Sequence, residues 1–261
     1  MKVHHLNCGS MSTPFGPFVC HVLLLETERS GLVLVDSGFG TADIADPRRR
    51  LGPTRHLLRP ALDPAETALR QVEALGHSAA DVQHVVVTHL DYDHIGGLSD
   101  FPHAQVHLTA AEAQGGLRTP SLRDARRFRP QQWSHGPRFV EHADFADTWL
   151  GFGAAKQLDQ VADGLVLVPL PGHTRGHTCV AVDTGGRWLL HVGDAAEHRG
   201  WFEDVPVPRG VRLAEWMLAT DRSVLGDNRR RLRELARHHA ADVDIVTAHD
   251  PVQLERFRPA P

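Results

Sequence analysis

Thr88-His89-Leu90-Asp91-Tyr92-Asp93-His94 is the stretch on which the reading of this chain turns. His89, Asp91, Asp93 and His94 all carry side chains that bind metal ions. The apolar run before them, Val85-Val86-Val87, reads as a buried strand. Ile95-Gly96-Gly97 after them reads as a turn into the next element. A strand end is rigid and opens onto a loop, so it can hold several ligands in fixed geometry. Imidazole and carboxylate together suit a catalytic zinc, iron or manganese better than calcium or magnesium. Alternate residues of an extended segment point the same way, which places His89, Asp91 and Asp93 on one side and His94 on the other.

Further potential ligands recur where later apolar runs end. Leu165 to Leu170 runs into Pro171-Gly172-His173-Thr174-Arg175-Gly176-His177, Trp188 to Val192 into Gly193-Asp194, and Asp244 to Ala248 into His249-Asp250. A single His or Asp in such a place is usually a turn or cap residue. The shared context of all of them points to one site.

In this order the motifs resemble those of the metallo-β-lactamase-fold hydrolases, whose signature is His-x-His-x-Asp-His, then Gly-His, Gly-Asp and a late His. Here the matching residues are His89 to His94, Gly172-His173, Gly193-Asp194 and His249, with Val35-Asp36-Ser37-Gly38 resembling an early turn of the same fold. The resemblance implies an α/β chain folded as an αββα sandwich, two mixed sheets flanked by helices, with the metal site at one edge. It also implies that His89, Asp91 and His173 hold one metal, that Asp93, His94 and His249 hold a second, and that Asp194 bridges them. Asp36, Thr88 and His177 are then expected to support the ligands from behind.

One position departs from the pattern: Asp91 stands where the family usually has its second His. Two divalent ions bring about +4, and the usual ligands with a bridging hydroxide leave about +1, whereas Asp91 lowers this to about zero. A less positive centre acidifies water less and favours harder ions, which sets iron or manganese beside zinc. The reaction implied is metal-assisted hydrolysis, a bridging hydroxide attacking a small ester, lactone or thioester, with Asp93 also as catalytic residue. The alternatives are a diiron oxidoreductase centre like that of the flavodiiron proteins, and phosphodiester or β-lactam hydrolysis at the same site. Lactonases of this superfamily usually place a Tyr shortly after the bridging Asp. Here Ala195-Ala196-Glu197-His198 follows, and Tyr92 is the only Tyr of the chain.

The 261 residues bury a sizeable core, and one domain over 1–261 is the simplest organisation. No apolar run approaches the roughly 20 residues of a membrane helix, and no long apolar signal core follows the N-terminus. A net charge of −4 speaks against nucleic acid as the main partner. The expected partner is a small-molecule substrate, with no nucleic acid and no membrane; the oligomeric state stays open, a homodimer being the assembly considered. Cys8, Cys20 and Cys179 form no C-x-x-C pair, which fits a reducing cytoplasm, with Cys20 and Cys179 buried and Cys8 in a turn. No Gly-x-Ser-x-Gly elbow and no Walker Lys appears, which excludes serine-hydrolase and P-loop readings.

The first third reads as strands at Val3 to Leu6, Val19 to Glu26 and Leu32 to Val35. A helix is expected from Asp63, with Glu66 completing a capping box and Ala68, Leu69, Val72 and Leu75 on its apolar face. A strand at Gln105 to Thr109 leads into a helix at Ala110. Helices are expected over Val211 to Leu225 and Asp227 to Ala240. Residues 115–160 break the pattern with Gly115, Gly116, Pro120, Pro130 and Pro137, several aromatics and a run of arginines. They read either as a solvated insertion or as a cap over the site, with Arg127, Phe128 and Trp133 as substrate contacts.

Overall fold

The computed structural model describes residues 1–118 and 121–258, so that Pro120 lies outside the described residues. Two six-stranded sheets form its centre. The first has strands β1 (Lys2–Thr13), β2 (Gly16–Glu26), β3 (Leu32–Val35), β4 (Val82–Val86), β5 (Gln105–Thr109) and β6 (Arg138–His142), side by side in that order. β1 to β3 are antiparallel and β3 to β6 parallel. The second has β7 (Asp147–Trp149), β8 (Phe152–Gln157), β9 (Leu165–Pro169), β10 (Thr178–Asp183), β11 (Trp188–His191) and β12 (Val243–Val246), antiparallel except for the parallel pair β11 and β12.

Strand periodicity explains the layers. Along β2, Leu23 and Leu25 turn inward and meet Val180, Val182, Leu165 and Leu167 of the second sheet. Val22 and Leu24, one residue off, face the opposite way and pack with Ala68 and Val72 of the helix Ala68–Ala74. On the far side, Val166, Val168 and Leu190 pack with Leu232 and Leu235 of the helix Arg222–His238. The result is the αββα sandwich, in which both sheets are covered on both faces and their strands read as apolar runs.

Several local expectations change. Thr67, not Asp63, caps the helix Ala68–Ala74, because Glu66 is drawn to the backbone N–H and hydroxyl of Ser10 (2.8 and 2.5 Å). Leu75, at the end of that helix, is exposed. Cys8 lies within β1 and is buried, as are Cys20 and Cys179. The two late helices are Arg209–Leu218 and Arg222–His238, since Asp221 accepts from the N–H groups of Ser223 and Val224 and starts the second one early. Residues 115–160 supply β6, the edge of the first sheet, and β7 and β8 at one end of the second, strands whose partly exposed residues form no continuous apolar run. No helix among the described residues is long and apolar enough to cross a membrane.

A buried ion pair fastens the turn after the metal motif. Arg50 donates to Asp43 (2.8 Å), to the carbonyls of Gln131 (2.7 Å) and Gly96 (3.0 Å), and to the side chain of Gln132 (2.5 Å). Gly96 is glycine for room: a Cβ there would sit 2.0 Å from Asp43 Oδ2. Removing one partner of a buried pair leaves the other charge unmatched, at about 3–5 kcal/mol. Arg50→Met is therefore expected to lower stability by about that amount in urea unfolding, while Arg29→Met, at the exposed pair with Asp163, should leave the midpoint unchanged. Equal midpoints for the two variants would refute a structural role for Arg50.

Candidate metal centre

β3 and β4 end side by side, and their ends build the site. Asp36, just past β3, holds a left-handed φ of 60°. Its carboxylate accepts from the N–H and hydroxyl of Thr88 (2.7 and 2.9 Å) and from His94 Nδ1 (2.8 Å). The Thr88 hydroxyl, having donated to Asp36, accepts from His89 Nδ1 (3.0 Å). His249 Nδ1 donates to the Val19 carbonyl (2.7 Å). In its neutral form each of these rings thus keeps its proton on Nδ1, behind the site, and presents Nε2 as a lone pair, as ligating histidines do.

The seven expected ligands come together as two groups. His89, Asp91, His173 and Asp194 form one, and Asp93, His94 and His249 the other. Asp194 faces both: Oδ2 lies 3.1 Å from His173 Nε2, and Oδ1 lies 3.1 Å from His249 Nε2 and 3.4 Å from His94 Nε2. Despite these short distances Asp194 Oδ1 is buried and accepts no hydrogen bond. A carboxylate oxygen facing two ring nitrogens whose protons point elsewhere needs a cation or an added proton. The donor set of each group suits a divalent metal, and Asp194 lies against both groups. Burial opposes a proton on His249, but the charge of Asp194 outweighs it and pushes His249 up to about 9. Burial, then Arg127, pull His173 down to about 3.

The alternation expected of an extended segment brings His89 and Asp91 to one group but does not reach Asp93. The chain leaves extended geometry after Asp91, entering the short helix Tyr92–Ile95, and Asp93 and His94 both turn to the second group. His177 lies behind the ligands: its Nδ1 donates to the Leu170 carbonyl (3.1 Å), and its Nε2 accepts from the Asp194 N–H (3.0 Å). Gly193 has φ 49°, and a Cβ there would meet His177 Nε2 at 2.7 Å, so this turn admits only glycine. His191 fills the strand beneath and donates to the His21 carbonyl (2.8 Å).

Two supporting carboxylates escaped the sequence reading. Glu112 is buried and accepts from Leu90 N–H (2.9 Å), the Thr174 hydroxyl (2.8 Å) and Gly176 N–H (3.0 Å), tying the His89 loop to the His173 loop. Its sequence signal, Thr109-x-x-Glu112, suggests only a helix cap. Glu197 is buried and lies on the wall of the cavity over the site. Burial first, then Asp194 and Glu215, push its carboxyl well above the usual range.

Arg127, last residue of the helix Leu122–Arg127, reaches the site itself. Its Nε donates to Asp91 Oδ1 (2.7 Å) and its Nη2 to Asp91 Oδ2 (2.5 Å), the second nitrogen also touching His173 Nε2. Burial alone would raise Asp91; Arg127 and His89 hold it well below the ordinary carboxylate range. Phe128 and Trp133 do not meet the expectation of substrate contact. Phe128 is buried in the core over the first sheet and Trp133 packs against that core, because both aromatics find apolar neighbours there.

A cavity of about 320 Å³ opens over the site, and its lining joins Asp91, Asp93, Asp194, Glu197 and His249 with Arg127 and with the apolar Phe15, Phe18, Leu58, Met217 and Leu218. Another, of about 280 Å³, lies beside Trp201 and Trp216 and contains none of the seven ligands.

Residues 15–243 match the model of the metallo-beta-lactamase superfamily. A protein of Mycobacterium tuberculosis named as a probable metallo-hydrolase is 54% identical over 252 residues, covering 96% of this chain and 81% of that one. The N-acyl homoserine lactonase AttM of Agrobacterium fabrum is 30% identical over 244 residues, 91% of this chain and 84% of its own. Among solved structures, Bacillus thuringiensis AiiA carrying N-decanoyl-L-homoserine at its active site superposes with a TM-score of 0.74 at 18% identity, covering 98% of this chain and 96% of that one. On the family match over most of its length and the near relatives that share it, the chain belongs to the metallo-beta-lactamase superfamily and is an enzyme of the metallo-hydrolase class.

Proposed function

We propose that the chain uses a dinuclear centre, with zinc as the metal, to hydrolyse a small ester, lactone or thioester bearing an apolar acyl part. The observation that carries this reading is a cavity lined by four of the seven ligands, Asp91, Asp93, Asp194 and His249, together with the apolar side chains of Phe15, Phe18, Leu58 and Met217. Two divalent ions held by the seven residues would supply an activated water, a bridging hydroxide, and polarise the bond to be cut. The protein does the rest. The apolar wall excludes water and seats the acyl chain. Asp93, 3.8 Å from His249 and on the cavity wall, orients the incoming water and takes its proton. Glu197, also on the cavity wall, is placed to give a hydrogen bond to the leaving oxygen when it carries its proton.

Acyl lactones are the first substrate class, following the name of the Agrobacterium relative. The homoserine lactone headgroup is not carried over, since Glu197 lies in the segment after Asp194 where a Tyr is usual. The case for iron or manganese rested on the extra carboxylate of Asp91. Paired with Arg127, that carboxylate no longer makes the centre more anionic, so the redox alternative loses its ground.

Protein purified without chelator and offered zinc, manganese or iron is expected to hold close to two ions per chain. Asp194→Ala should weaken both metals and His249→Ala mainly one, read by elemental analysis; loss of the same single ion in both variants would argue against the bridge.

The apolar wall should set chain-length preference. Burial is worth about 0.8 kcal/mol per methylene, roughly fourfold in kcat/KM for each carbon that reaches the wall. Met217→Asp is expected to flatten that dependence through KM while metal content stays at wild-type level. An unchanged chain-length profile would place the acyl chain elsewhere.

A further inference from the structure

The guanidinium of Arg127 is engaged at every nitrogen. Nε and Nη2 grip both oxygens of Asp91, while Nη1 donates to the carbonyls of His173 (3.0 Å) and Leu218 (2.8 Å). Both members of the pair are largely buried, the Arg127 and Asp91 side chains being 13% and 15% exposed. The Asp91 carboxylate also lies 3.2 Å from His89 Nε2 and 3.2 Å from His173 Nε2, so it belongs to the first ligand group in space. A planar fork with five donors matches a carboxylate in two places at once, which a lysine cannot do.

We infer that Asp91 and Arg127 together form one neutral ligand unit, standing where a neutral imidazole is usual. Asp91 offers an oxygen to the first metal, and Arg127 fixes the orientation of that carboxylate and returns the unit of charge that it removes. The net charge of the centre comes back to about +1, so an isolated count of carboxylates misjudges it. Arg127 acts here through Asp91 and is a positioning residue. The inference rests on the dinuclear reading above.

The consequence runs against the simplest expectation for this position. Asp91→His would seem to restore the usual ligands, but it strands the Arg127 cation beside the first metal. Its like charge repels a divalent ion across a few ångströms of largely dry protein. Asp91→His alone should therefore weaken the first metal, and adding Arg127→Met should bring it back.

The test is zinc binding by titration calorimetry and elemental analysis, on the whole chain, of wild type, Arg127→Met, Asp91→His, Asp91→His/Arg127→Met and Asp91→His/Arg127→Lys. Changes to the groups behind a metal ligand commonly shift its affinity by about 10–100-fold, and that is the size expected between the single variant and the Met double variant. The Lys double variant keeps the cation and should stay as weak as the single variant. The second metal, held by Asp93, His94 and His249, serves as internal control. If Asp91→His unfolds, Asp91→Asn takes its place with the same Met and Lys partners.

Equal zinc affinity across Asp91→His and its two double variants overturns the inference while leaving the dinuclear reading intact. So does equal rescue by Met and Lys, which would make the effect one of bulk. A wild type that binds one ion, with Arg127→Met binding two, also overturns it, because the guanidinium would then stand in place of an ion. A wild type that binds no metal overturns the dinuclear reading and the inference with it.

Discussion

Buried charge is the constraint around which this molecule is arranged. Three carboxylates and four imidazoles meet in two groups whose ligand atoms lie within 4.8 Å of one another. Burying unmatched charge is among the most costly things a fold can do. The surrounding structure answers that cost. Asp36, Thr88 and the Val19 carbonyl take up the ring protons of His94, His89 and His249, and His177 holds the backbone of Asp194. Glu112 ties two of the ligand loops together. What remains unanswered is Asp194 Oδ1, and there the donor set calls for a cation.

The sheets give this arrangement its precision. β3 and β4 are parallel neighbours, so their ends emerge at one edge of the first sheet, carrying Asp36 and Thr88 within hydrogen-bond reach. β10, β11 and β12 pair within the second sheet, and the turns around them bring His177, Asp194 and His249 to the site. Ligands separated by up to 160 residues in sequence thereby reach one point.

The parts of the molecule legible in the sequence were those with local signals. Apolar runs ending in His, Asp or Gly marked β4, β9, β11 and β12, because a strand buried on both faces is written as a continuous hydrophobic stretch. The ligand residues stood out for the same reason: polar groups at abrupt ends of apolar runs. Glu112, Glu197 and the Asp91–Arg127 pair did not, since their meaning lies in contacts between segments far apart in sequence. Phe128 and Trp133 misled because an aromatic in a polar stretch signals burial without saying against what. β6 and β8 are partly exposed and so carry no continuous apolar run, and β7 spans only three residues.

Arg127 touches three separate parts of the chain: Asp91 after β4, the His173 loop, and the Leu218 carbonyl at the end of the helix Arg209–Leu218. That helix also lends Met217 and Leu218 to the cavity wall. The cover of the cavity and the coordination sphere beneath it are thus coupled through one side chain. Thermodynamic reciprocity then applies: an acyl ligand that settles the cover and shifts metal affinity must have its own affinity shifted by the metal in the same ratio. Whatever the sign of such coupling, each affinity would have meaning only at a stated level of the other ligand.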